Sequence, residues 1–188
     1  MASSAAGSKN NKPVRSAAPL SADEIAIYKA VLEKYGDKDT GNLNVSRTTY
    51  PLNLDAFASG LKSPDCLGEI QLENLSVVAH SFHDLPPEVL TGSSMKLVDP
   101  KQQAKIVHSN DPSRTIRNGT PVDNAVRGAF ATALFSMSEI AFDKDHHFAA
   151  VSYAFWCGSL CGNGSTMIFE KVDGTWKNTN RNCGHWVS

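Results

Sequence analysis

The last fifty residues constrain this chain most. From Ser138 onward apolar residues alternate with a period of two in runs separated by short turns, and Cys157 and Cys161 sit in the tightest turn, Cys157-Gly-Ser-Leu-Cys161-Gly. A period of two marks strands, because successive side chains on extended backbone point to opposite faces. The runs predict strands at about 138–142, 147–156, 165–172 and 175–180. Asp143-Lys144-Asp145 and Asp173-Gly174 stand between strands as hairpin turns. The second is a strong type I′ signal, since both of its residues tolerate positive φ. Turns this short force neighbouring strands to run antiparallel.

Upstream the pattern is helical. Ser21-Ala22-Asp23-Glu24 has the form of a capping box, with Leu20 and Ile25 placed as a hydrophobic staple. Ile25, Tyr28, Val31, Leu32 and Tyr35 recur at helical spacing, so a helix is predicted over about 22–35, stopped by Gly36. A weaker helix is expected at 72–82, ending before Pro86-Pro87. Asp99-Pro100 opens another toward His108. Thr120-Pro121-Val122-Asp123 caps a further one, with Val122, Val126, Ala129, Phe130, Ala133 and Leu134 on its inward stripe. Residues 37–70 show little periodicity, and residues 1–20, nearly devoid of large apolar side chains, read as a disordered leader.

These elements define an α+β fold: N-terminal helices packed on a C-terminal four-stranded antiparallel meander, forming a single domain over 21–188. The strand at 147–156 is apolar on both faces. Phe148, Ala150, Ala154 and Trp156 point one way, and Ala149, Val151, Tyr153 and Phe155 the other. The helices cover one face. The other needs a cover from the 37–119 region, a second copy of the chain in a homodimer, or a ligand.

Charge narrows the classes of partner. The net charge of −1 and the interspersed basic and acidic residues argue against nucleic-acid binding. The apolar stretches fall far short of the roughly 20 residues of a membrane-spanning helix. No apolar secretory core stands near the start, so the choice lies between a cytoplasmic protein and an exported one whose signal is absent from this sequence. The cysteines favour the extracytoplasmic reading, periplasmic or secreted.

Four cysteines permit three pairings. The turn between Cys157 and Cys161 is able to bring them within disulfide reach, which leaves Cys66 with Cys183. Four reduced thiols, or metal or redox use, are the alternatives. Thiol-disulfide catalysts favour two-residue spacing at a helix N-terminus, and four-cysteine zinc sites two close pairs; this chain has neither pattern.

The six histidines offer a second chemistry. His80 and His83, with Asp84, share a helix face if the helix extends that far, and His146 and His147 lie beside Asp143 and Asp145. Two ligands are too few for a metal, so no metal site or cofactor is expected. Gly162-Asn163-Gly164-Ser165-Thr166 lacks the following helix that a phosphate loop needs, and Arg114 and Arg117 read as ordinary loop cations. No nucleophile-elbow motif is present, so no catalytic residue is assigned.

The segments Ser138-Glu-Ile-Ala-Phe142, Ala149-Ala-Val-Ser-Tyr153, Cys157 to Gly164, Glu170 to Trp176 and Trp186-Val-Ser188 resemble the ends of a group of small exported bacterial proteins of no known activity. The resemblance covers the final quarter of the chain and implies bacterial origin and export. The expected function is an exported, non-catalytic module binding a protein or small-molecule ligand. The alternative is a metal- or histidine-dependent enzyme. The expected ligand site is the hairpin mouth, with Tyr153, Phe155 and Trp156 on the sheet and His146, His147 and His185 on the rim.

Overall fold

In the computed structural model, residues 12–35, 42–57 and 66–188 are described; the expected stop at Gly36 and the turn after it lie outside them, apart from Asn42. In chain order the elements are β1 (Val14–Arg15), α1 (Ala22–Tyr35), β2 (Leu43–Ser46), a 3-10 turn at Leu54–Phe57, α2 (Leu75–Val78) and β3 (Ser81–Phe82). A second 3-10 turn at Pro87–Val89 leads to β4 (Met95–Val98), α3 (Pro100–Ser109), α4 (Pro112–Arg117) and α5 (Val122–Thr132). Four long strands finish the chain: β5 (Leu134–Phe142), β6 (Phe148–Gly158), β7 (Cys161–Val172) and β8 (Thr175–Val187).

The fold is mixed α/β, with the last four strands forming the expected meander inside a larger sheet. Six strands lie in the order β4-β2-β5-β6-β7-β8. β5 to β8 pair antiparallel, whereas β2 pairs parallel with both β4 and β5. The expectation of a four-stranded sheet therefore needs correction. Leu43 to Ser46 is too short to show a period, and all four of its residues are buried, as both-face burial in a central strand requires.

Helix α1 follows its sequence signals closely. The Ser21 amide donates to Glu24 Oε2 at 2.6 Å and the Glu24 amide to Ser21 Oγ at 3.2 Å, a reciprocal capping box. Ile27, Tyr28, Val31 and Leu32 are wholly buried against Phe135, Met137, Val151, Tyr153, Met167 and Phe169, each worth about 2 kcal/mol of apolar burial. Asp23 clasps the far end of the sheet, accepting from Lys171 Nζ at 2.8 Å and Trp176 Nε1 at 3.0 Å.

The opposite face of the sheet is covered by the chain itself: Ala150, Ile168 and Cys183 pack under Phe57, Leu67, Ile70 and Leu72. A disulfide between Cys66 and Cys183 fastens that cover, and a second joins Cys157 and Cys161 across the β6–β7 turn. Asp173 and Gly174 both take positive φ, 51° and 77°, as the predicted hairpin turn demands.

Three local expectations need correction. Residues 12–20, expected within a disordered leader, include β1, which pairs parallel with β3 and is held by an Arg15–Asp84 ion pair. The helix expected at 72–82 shrinks to Leu75–Val78, because Ser81 and Phe82 are drawn into pairing with β1. On α5 the inward face is the small one: Ala125 and Ala129 are buried, while Val122, Val126 and Phe130 are 58%, 41% and 45% exposed.

Candidate functional site

A buried carboxylate, Glu139, organises a polar cluster at the edge of the α1 core. β5 carries a bulge between Met137 and Ile140, so Phe135 and Met137 face the α1 core before it and Ile140 and Phe142 after it. The bulge sets Ser138 and Glu139 opposite Ser152 alone, one residue extra, and a bulge of this kind re-aims a side chain. Hydrogen bonds from three directions hold them. Tyr28 Oη donates to the Ser138 carbonyl at 3.0 Å, the Ser152 amide to Ser138 Oγ at 2.8 Å, and the Glu139 amide to the Tyr50 carbonyl at 2.8 Å. Burial, and after it the Glu139 and Glu24 carboxylates, push the Tyr28 phenol well above its ordinary range, so it stays a donor.

Glu139 is 3% exposed, and a carboxylate so placed must be paired. Its partners come from two neighbouring extended segments. Thr49 Oγ1 donates to Oε1, and His83 Nδ1 lies 2.7 Å from Oε2. Ser81 Oγ stands 3.4 Å from the same oxygen. Thr49 and His83 are in turn locked together, the Thr49 amide donating to the His83 carbonyl at 2.9 Å and the His83 amide to Thr49 Oγ1 at 2.7 Å. Because a carboxylate only accepts, this geometry places a proton on His83 Nδ1 and leaves Nε2 as the acceptor of the neutral ring.

His83 and Glu139 form the polar end of a cleft of about 470 Å³. Val77, Val78, Ile140 and Phe142 give it apolar walls, while Ser16 and Ser21 contribute from the strap that joins β1 to α1. No buried side-chain nitrogen or oxygen lacks a partner among the described residues. His83 Nε2 has none, so it is open to solvent, and the open space beside His83 is this cleft. The volume lies in the range of small-molecule sites.

The six side chains expected at the hairpin mouth are not brought together. Tyr153 is buried in the α1 core, its ring centroid 4.4 Å from that of Tyr35 and 5.8 Å from that of Phe135. Phe155 packs on Phe130 at 5.6 Å, and Trp156 meets His108 edge-on at 5.7 Å. His146 stacks on Phe142 at 4.4 Å with Nδ1 3.6 Å from Asp23, and it lies on the cleft. His147 is exposed in the turn, its amide donating to Asp143 Oδ1 at 2.7 Å, and His185 is exposed near the end of β8. The length of β6 holds them apart: His146 precedes the first pair with β7, Phe148–Glu170, whereas Trp156 pairs with Gly162 near the other end.

His80 and His83 do not converge either. His80 Nδ1 bonds the Ser76 carbonyl at 2.8 Å, whereas His83 turns to Glu139. Among the described residues no three His, Cys, Asp or Glu side chains converge as a metal-ligand set. Tyr153 does help line a smaller depression of about 260 Å³ with Ser152, Thr166 and Trp186. Glu139 and Thr49 were missed by the sequence reading; the one signal was a carboxylate inside an otherwise apolar strand, Ser138-Glu-Ile-Ala-Phe142.

No family model, no curated protein and no solved structure matches the chain.

Proposed function

We propose that this is an exported, non-catalytic binding protein that holds a small molecule in the cleft between α1, α2 and the β5 bulge. The observation that carries the reading is the buried Glu139 fixing His83 on the cleft wall. A buried carboxylate is costly to keep, and here it orients one ring nitrogen toward open space. The two disulfides support export, since such bonds persist in oxidising compartments.

Histidine-dependent catalysis is the second reading, because a carboxylate-oriented imidazole is also a general base. Nucleophilic catalysis is not assembled around it. Ser81 Oγ donates to the Val77 carbonyl at 3.0 Å and Thr49 Oγ1 to Glu139; neither bonds Nε2. That arrangement favours binding.

The test is a fragment screen by NMR on the full chain, using small apolar compounds with one polar group. Binders are expected to shift the His83 side chain and the methyls of Val77 and Ile140, and to lose affinity in His83→Phe. Shifts confined to the Ser152–Trp186 depression would move the site there.

A further inference from the structure

We infer that the ligand of this cleft is an organic cation, an ammonium group carried on an apolar body, with its N–H donating to His83 Nε2. The inference rests on the cleft being the binding site and adds the chemical class of what it holds. Two independent features converge on it.

The first is the direction of the hydrogen bond. With Nδ1 donating to Glu139 Oε2 at 2.7 Å, a ring that carries this one proton offers the cleft an acceptor at Nε2 and no donor. A ligand carboxylate or phosphate brings acceptors only, so it finds no partner there unless the ring is protonated. A ligand N–H or O–H pairs directly.

The second is the sign of the charge around that acceptor. Glu24, Glu73, Glu139 and Asp143 line the cleft, against a single lysine, Lys144. Lys144 is exposed in the turn after β5. The carboxylates are not equally occupied. Glu139 is saturated by Thr49 and His83, and Asp143 Oδ1 accepts the amides of His147 and Phe148 at 2.7 and 2.8 Å. Glu24 uses only Oε2 in its capping box, and the Glu73 carboxylate has no protein partner among the described residues. The hydrogen-bonding atom and the excess negative charge thus face the same space, which an anion would find repulsive and a cation favourable. The walls of Val77, Val78, Ile140 and Phe142 take the apolar body.

Three probes of one shape separate charge from fit: cyclohexylamine, cyclohexanol and cyclohexanecarboxylate, titrated into isotope-labelled full-length protein at pH 8 and low salt. Cyclohexylamine is expected to shift the His83 ring and the cleft methyls and to bind about tenfold more tightly than the alcohol, a difference of about 1.4 kcal/mol. The carboxylate is expected to leave these signals unmoved. Glu73→Gln and Glu24→Gln, the latter able to keep the capping box, should each weaken the amine about threefold and leave the alcohol unchanged. Equal or tighter cleft binding of the alcohol or the carboxylate overturns the cation inference while the cleft stands as a site. Failure of all three to perturb the cleft at millimolar concentration overturns both.

Discussion

His83 Nδ1 lies 2.7 Å from Glu139 Oε2, joining a residue beside β3 to the bulge of β5 across 56 positions of sequence. The contact ties the segment after β3 to the main sheet at the wall of the cleft. Removing the carboxylate in Glu139→Ala leaves Thr49 Oγ1 and His83 Nδ1 without their acceptor and opens a void. A loss of about 3 kcal/mol in urea unfolding is expected, whereas Glu139→Gln, which still offers one acceptor oxygen, should lose less.

Asp111 is a second polar latch, and it sets an acid limit. It caps α4 through Oδ1, accepting the Ser113 amide at 2.9 Å, while Oδ2 holds the Ser159 amide at 2.6 Å and the Ser159 hydroxyl. Those Ser159 hydrogen bonds, outweighing the effect of burial, hold its carboxyl well below the usual carboxylate range. A folded pKa depressed below the unfolded value of about 3.9 contributes stability that is complete above that value and lost as pH falls further toward the folded pKa. Unfolding followed from pH 7 to pH 2 should therefore show Asp111→Asn less stable than the parent at pH 7, with the gap narrowing below about pH 4.

The two disulfides should not be equivalent. Cys66–Cys183 spans 117 positions and pins the cover of one sheet face, while Cys157–Cys161 spans 4 across strands already paired. Chain entropy alone assigns about 5 kcal/mol to the first and about 2 kcal/mol to the second. Melting of the two double Cys→Ser variants is expected to rank them in that order, and the parent protein should yield no titratable thiol in denaturant.

Trp186 lies across Gly164, its partner on the neighbouring strand. A Cβ on Gly164 would collide with the indole and stand 2.6 Å from the Tyr153 carbonyl oxygen. Gly164→Ala should cost about 1–3 kcal/mol and alter tryptophan fluorescence as Trp186 is displaced.

How far the fold was legible follows from range. Helix α1 was readable because its box and its apolar spacing are local, and β6 to β8 because alternation and an Asp-Gly turn are local too. β2 and β4 were not, since four-residue strands in parallel pairing carry no turn and no usable period. α5 misled because its inward face is the one with Ala125 and Ala129, while the more apolar Val122 and Val126 face outward. The site was hidden most deeply. Thr49, His83 and Glu139 meet only after three extended segments align, through the isolated pairings Thr48–Asp84 and Tyr50–Ser138. Nothing in the spacing of the three residues announces it.

The most direct measurement is the nitrogen-15 spectrum of the histidine side chains at pH 8, with His83 assigned by substitution. Its ring is expected to carry the proton on Nδ1 and a bare lone pair on Nε2, and to change tautomer population in Glu139→Ala. A ring protonated on Nε2 and bare on Nδ1, or one indifferent to the loss of Glu139, would contradict the oriented acceptor on which the cleft's function depends.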